Sequence, residues 1–309
     1  MKFTTDSYIE IGNSHNICED YALNGNLAEG VPFIIVADGC SSSKMTDFGS
    51  RILAHSCHRA LHKAYHGGIM GELQETEDND GYTTDEKLRE HIMNEVIYTS
   101  MDTLDRFSLP YDVGDATLMY AYVFNNKVYV HGYGDGNLIM KMRHPEGKFT
   151  LWDNFQYESN APFYLSYRMD VLRKKGYLDH ENFGGLNFVE KSYNTLENGK
   201  PFNIIKDDCT EIITRSGSIE NIDSITLSSD GMESYSLSLK RLREDENPPT
   251  EEEIQSLKPY NIMQRMVAYK NFKGEFVKRR MKRLKQEVEK IGGEHFDDVS
   301  SATIWIDHG

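Results

Sequence analysis

Residues 31–37, VPFIIVA, form an unbroken apolar run that stops at Asp38-Gly39. That is the pattern of a buried strand ending in a turn. A half-buried strand is also expected over residues 4–11, where Thr5, Tyr8, Ile9 and Ile11 are β-branched or aromatic. From about Met45 to His66 the sequence predicts a helix with Phe48, Ile52 and Leu53 on its apolar face, and a second helix is expected over 85–108. Between them GELQETEDNDGYTTDE is acidic and rich in turn residues, as an exposed loop would be. Residues 115–142 read as a meander of strands, ATLMYAYVF, KVYVHGYG and NLIMKM, with a tight hairpin at Asn125-Asn126 because asparagine tolerates positive φ. SITLSS (224–229) is a further strand that ends at Asp230-Gly231, and ATIWI (302–306) is the last.

Two stretches read differently. Residues 154–222 mix turn residues with short apolar runs and predict no clear element. Asn247-Pro248-Pro249 marks a helix start, after which the chain becomes a long charged helical stretch to about 291. Within or just before its basic run KRRMKRLK, Met263, Met266, Val267 and Phe272 are expected to be core contacts, and the run itself a solvated face. Strands and helices are segregated rather than strictly alternating, which favours a layered α+β sandwich over a doubly wound sheet.

Composition narrows the function classes. The 309 residues are 39% hydrophobic and 27% charged, ordinary for a globular protein, with a net charge of -15. That acidic balance argues against a nucleic acid partner. Cys18, Cys40, Cys57 and Cys209 are scattered and read as reduced thiols. The start, MKFTTDSYIEIG, lacks an apolar leader core, and no run of eighteen apolar residues occurs, so a cytoplasmic protein that does not engage a membrane is expected.

The acidic residues carry the candidate chemistry. Three strands end in Asp-Gly: Asp38-Gly39, Asp135-Gly136 and Asp230-Gly231. Asp297-Asp298 precedes the last strand, and Glu19-Asp20 precedes another short apolar run. A sheet holds its strand ends at fixed spacing, so carboxylates there converge on one rim. Packed closely, they repel and raise one another's pKa, which two divalent cations would relieve. Oxygen-only ligation suits Mg²⁺ or Mn²⁺, whereas zinc prefers His and Cys.

The ordered motifs GNSHNICEDY (12–21), VADGCSSS (36–43), GDATLMYAYV (114–123), GYGDGNL (132–138), LSSDGMES (227–234) and DDVSSATIW (297–305) together resemble the type 2C (PPM) metal-dependent protein serine/threonine phosphatases, in the bacterial-like branch with a histidine in the first motif. The resemblance covers about residues 5–140 and 222–306, with a familiar patch at APFYLSY (161–167). It implies a four-layer αββα sandwich of two central, mostly antiparallel sheets flanked by helices. One domain would span 1–309, with a divergent flap or insertion at about 141–222 and the charged helical segment at about 250–291. By matching motif, Asp38 would bridge two metal ions, the Gly39 carbonyl would ligate one, and Asp230 and Asp297 would complete the core of the site. Glu19 and Asp20 would bind metal directly or through water, and Asp135 with Asp230 would mark a third, weaker position. Water activated between two cations would attack phosphoserine or phosphothreonine of a protein substrate without a protein nucleophile. His15 stands where most of the family carries a phosphate-gripping arginine, and it can offer phosphate one hydrogen bond rather than a bidentate fork.

Rival signals are weaker. His55, His58, His62 and His66 share one helix face, as zinc-binding pairs do, but no carboxylate is positioned to complete a site. Cys209 and Arg215 have the spacing of cysteine-dependent phosphatases, yet TEIIT between them is strand-like and lacks glycine. A pseudophosphatase, the same fold serving as a binding or regulatory module, is the alternative, supported only by the missing arginine.

Overall fold

In the computed structural model, β3 (Val31–Ala37) is buried along its whole length because both of its faces are covered. Phe33, Ile35 and Ala37 join a core with Leu53 and Leu61 of α1 (Thr46–His66) and Ile92 of α2 (Thr84–Arg106). Ile34 and Val36 join a second core with Leu227, Ala302 and Ile304 from the facing sheet. Period-2 geometry thus sends alternate residues into two cores, and each fully buried branched side chain contributes roughly 1.5–3 kcal/mol. The structure describes residues 1–43, 45–71, 84–145, 147–158, 161–179, 188–195, 200–207, 212–243 and 248–309.

Among the described residues two large antiparallel sheets face each other. One holds β2 (Tyr21–Ala28), β3, β4 (Leu118–Phe124), β5 (Lys127–Tyr133) and β10 (Ile213–Ser218), in the order β10-β5-β4-β3-β2. The other holds β1 (Lys2–Glu10), β6 (Gly136–His144), β7 (Gly147–Tyr157), β8 (Phe188–Asn194), β9 (Pro201–Asp207), β11 (Ile222–Ser228) and β14 (Val299–Asp307), in the order β1-β14-β11-β6-β7-β8-β9, while β12 (Tyr235–Leu237) and β13 (Gly293–His295) pair separately. α1 and α2 cover the first sheet. On the outer face of the second sheet Phe276, Val277, Met281, Leu284 and Val288 of α7 (Phe276–Glu289) pack with Ile139, Trp152 and Val299, and Asp6 of β1 accepts from Val277 N at 2.6 Å, capping that helix. This is the expected αββα sandwich.

The hairpin between β4 and β5 turns at Asn125 and Asn126 with φ 46 and 59, as the sequence predicts. Among the described residues of 141–222, β7, β8 and β9 extend the second sheet and β10 edges the first. Among the described residues, a short helical segment with α3 (Val171–Leu178) lies between β7 and β8. In place of one long charged helical stretch, residues 250–291 form α5 (Glu251–Ser256), α6 (Pro259–Met266) and α7, after the short α4 (Leu239–Arg243). Pro259 forces Lys258 out of the helical region to ψ 143, and Gly274 at φ 55 lies in the second break. Met263, Met266 and Val267 are buried and Phe272 partly so. The expected acidic loop falls mostly outside the described residues. No described helix is long and apolar enough to cross a membrane, and Cys18, Cys40 and Cys57 are free thiols.

The ends of β11 and β14 are clamped together. Ser229 N donates to Ser300 O at 3.1 Å and Ser300 N donates to Ser229 Oγ at 3.0 Å. Gly231 lies so close to residue 298 that a Cβ would stand 1.7 Å from the Asp298 carbonyl oxygen. Gly231→Ala is therefore expected to lower stability by about 1–3 kcal/mol or more, read as a fall in the urea midpoint, because backbone rather than a flexible side chain must give way.

Candidate functional site

Each expected acidic residue borders a strand. Asp38 follows β3, Asp135 sits between β5 and β6, Asp230 follows β11 after one residue, Asp297 lies just before β14, and Glu19-Asp20 lead into β2. The turn at Asp135 needs glycine on both sides, since Gly134 and Gly136 adopt φ 96 and 140 and a Cβ on either would strike Thr117 or Met119. Asp38 is pinned by an exchange with Thr117: its N–H donates to Thr117 Oγ1 at 3.2 Å, and Thr117 N donates to Asp38 O at 2.7 Å.

Glu19, Asp38, Gly39, Asp135, Asp230 and Asp297 all line one cavity of about 320 Å³. Cys40, Ser41, Ser42 and Thr117 complete one wall, and Pro162 and Tyr164 stand on another. No lysine, arginine or histidine lines it among the described residues. Asp20 lies behind the wall, fully buried, with Oδ2 accepting from Ser229 Oγ at 2.7 Å and no donor facing Oδ1. Its near neighbour there is the carboxyl of Asp38.

The electrostatic consequence is direct. Burial pushes Asp38 well above the usual carboxylate range, and the charges of Asp20 and Asp230 push it further. Burial and then Asp230 do the same to Asp135. Burial raises Asp20 from its ordinary 3.8 to about 7, against the opposing pull of the polar groups of Asp38, Ser229 and Ser300 beside it. Asp297 is raised by burial and by Asp230. With no cation in the wall, ionising this set is costly. The donors are hard oxygens, the orphaned Asp20 Oδ1 is one of them, and the set fits Mn²⁺ or Mg²⁺ rather than zinc. Among the described residues no three such side chains close on one point as the ligands of a single ion do; they stand around a shared space.

His15 is not part of the cavity wall. Its Nε2 lies 3.5 Å from Asp297 Oδ1 and its Nδ1 3.1 Å from Asp298 Oδ2, the latter an ion pair off the line of a good hydrogen bond. Burial alone would lower its pKa, but the contact with Asp298 and the charges of Asp298, Asp297 and Glu19 outweigh that and raise it.

Several contributors were not legible beforehand. Asp298 is buried and accepts from Gly12 N at 2.7 Å and Glu19 N at 2.6 Å, so it clips the loop carrying His15 and Glu19 onto β14. Asn137 Nδ2 donates to Ser229 O at 3.0 Å, while its Oδ1 accepts from Trp152 Nε1 at 2.8 Å, fixing the residue before Asp230. Glu233, raised to about 7 by burial and Asp230, accepts from Asn154 at 2.6 Å and Gln156 at 2.8 Å. Arg173 of α3 grips both oxygens of Asp115 at 2.8 and 2.7 Å, and Asp115 O accepts from Cys40 N at 2.9 Å, so the segment bearing Pro162 and Tyr164 is tied to the cavity wall.

The rival sites gain no support among the described residues. On α1, His58 stacks on Phe33 and the rings of His62 and His66 lie 4.1 Å apart, without a third ligand among the described residues. Arg215 sits on β10, paired with Glu190, and Cys209 lies outside the described residues.

Comparison with known proteins agrees with this architecture. The sequence model of the Protein phosphatase 2C family matches residues 12–269. No curated protein matches the sequence. Among solved structures, the serine-threonine phosphatase 2C of Toxoplasma gondii superposes with a TM-score of 0.59 at 12% identity, over 99% of this chain and 95% of that one. A bacterial serine phosphatase gives 0.51 at 10% identity over 99% and 98%, and the S. agalactiae serine/threonine phosphatase gives 0.51 at 13% over 99% and 100%. Likeness at such identities establishes the shared fold, and the family match covers most of the chain: the protein belongs to the protein phosphatase 2C family.

Proposed function

We propose that the chain hydrolyses phosphoserine and phosphothreonine in phosphorylated proteins with two divalent cations, Mn²⁺ or Mg²⁺, held by Asp38, Asp230 and Asp297. Glu19, Asp20 and the Gly39 carbonyl assist them, and Asp135 with Asp230 offers a third, weaker position. The observation that carries this reading is one cavity walled by five carboxylates from separate strand ends, without a compensating side-chain cation among the described residues. When bound, such ions supply the Lewis acidity that makes water nucleophilic near neutral pH and the positive charge that phosphoryl oxygens need.

The chain's own residues do the rest. The exchange with Thr117 fixes the backbone of Asp38, so its carboxylate is preorganised rather than recruited. Asn137 and the Ser229–Ser300 clamp do the same for Asp230. Pro162 and Tyr164, held through Arg173 and Asp115, narrow the approach and exclude water from one side of the reacting ester. His15 sits on Asp297 and Asp298, so its role in this reading is to orient Asp297 as well as to meet phosphate at the rim. The acidic set is complete, which favours an active enzyme over a silent binding module.

Turnover of a phosphoserine peptide is expected to require added Mn²⁺ or Mg²⁺ and to vanish with chelator. Asp38→Asn is expected to cut kcat by about 10³-fold or more while raising the melting temperature of the metal-free protein, since it removes a buried carboxyl whose ionisation the fold opposes. Full activity in chelator would overturn the mechanism.

The pH dependence has a definite sign. A carboxyl raised in the folded state binds more protons there than when unfolded, so stability falls as pH rises between the two values. For Asp20 that window runs from 3.8 to about 7, and the raised His15 acts in the same direction. In chelator the melting temperature is expected to decline from about pH 4 to pH 7, and saturating Mn²⁺ to flatten the decline.

A further inference from the structure

α7 carries six basic residues, Lys278, Arg279, Arg280, Lys282, Arg283 and Lys285, against two acidic ones, Glu287 and Glu289, in a chain of net charge -15. Part of this charge is neutralised within the fold. Lys278 pairs with Glu275 at 2.6 Å and Lys285 with Glu10 at 2.6 Å. Arg265, Arg280 and Arg283 all converge on Glu287, at 3.3, 2.8 and 3.0 Å. Three guanidinium groups on one carboxylate leave that corner positive.

Beside it, the start of α7 and the preceding turn enclose a groove of about 410 Å³. Lys270, Arg279, Arg280 and Arg283 line it, with Tyr269 and Phe276 as aromatic floor, and no carboxylate is among its lining residues. Arg279 donates to Asn271 Oδ1 at 2.9 Å and Lys273 O at 2.6 Å, both uncharged acceptors. Arg280 has a side chain only 9% exposed, yet its Nε–H meets no acceptor among the described residues. A buried, unsatisfied guanidinium N–H costs free energy unless something accepts from it. The helix N-terminus itself is not the attraction, because Asp6 already fills it.

We propose that this groove docks an acidic segment of a protein partner, with carboxylates on the arginine rim and an apolar side chain against Tyr269 and Phe276. The charge complementarity is local: at a Debye length of about 8 Å the groove, not the acidic remainder, is what a short segment senses. An extended polyanion such as nucleic acid or an anionic lipid surface would also meet the negative remainder of the chain, which disfavours both. The groove is separate from the catalytic cavity. Tyr269 donates to or accepts from Thr303 on β14 at 2.8 Å, and Thr303 lies six residues from Asp297, about 20 Å at roughly 3.3 Å per residue.

The test is fluorescence anisotropy of the full chain with a short labelled peptide that has glutamates on both sides of a leucine, beside its glutamine counterpart. Saturable binding of the glutamate peptide alone is expected, weakening steadily with salt. Arg279→Glu and Lys270→Glu should each weaken it about three- to tenfold, with hydrolysis of a small phosphate ester unchanged. Equal binding of the two peptides by the unaltered protein, salt-independent binding, or tighter capture of a single-stranded oligonucleotide or of anionic vesicles would overturn the proposal. So would undiminished binding by both variants when their melting temperatures match the parent. Because the peptide and salt comparisons use the unaltered chain and read no catalysis, they decide the matter even if a variant fails to fold or the enzyme mechanism is revised.

Discussion

The mutual repulsion of carboxylates buried at one end of the sandwich is the constraint around which the rest of the molecule is organised. Asp20 and Asp38 are neighbours with both carboxyls buried, and Asp135, Asp230 and Asp297 share the cavity that Asp38 lines. Left to itself such a set would take up protons or spread apart. The fold prevents spreading by fixing each backbone: Thr117 holds Asp38, the Ser229–Ser300 pair and Asn137 hold Asp230, and Asp298 holds the loop of Glu19. In the proposed reading, a frame this rigid would hold the carboxylates ready for hard cations rather than recruit them on binding.

The layers supply that rigidity. β3 and β14 are each buried on both sides, so their ends cannot shift without repacking two cores. The acidic residues come from strands of both sheets, and the site therefore reports on how the sheets are stacked. α7 caps the same arrangement from outside while turning a strongly basic face to solvent, a reversal of sign within one acidic chain.

Much of this was legible in the sequence for reasons that can be named. VPFIIVA has the pattern of a buried strand ending in a turn, and Asp-Gly at three strand ends points to a common rim. The local signals at Asn125-Asn126 and the apolar face of α1 are carried by neighbours a few residues apart, which pattern reading captures well. What escaped depends on distant partners. The contact of His15 with Asp297 and Asp298 joins residues nearly a whole chain apart, and the clip formed by Asp298 was hidden behind the more conspicuous Asp297 beside it. The strands between 141 and 222 lacked a clean alternation because polar Glu190 and Ser192 are buried in β8 and Phe202, Ile204 and Ile205 are exposed in β9. The basic run of α7 was read as a solvated face; its groove arises only when the turn at Lys270 folds back beside Arg279.

The account stands on hard cations seated among these particular carboxylates. Anomalous diffraction at the manganese edge, from crystals grown with Mn²⁺, tests it most directly. Two strong peaks bounded by Asp38, Asp230 and Asp297 are predicted. Manganese absent from that cavity, or ordered only along the histidines of α1, would contradict it.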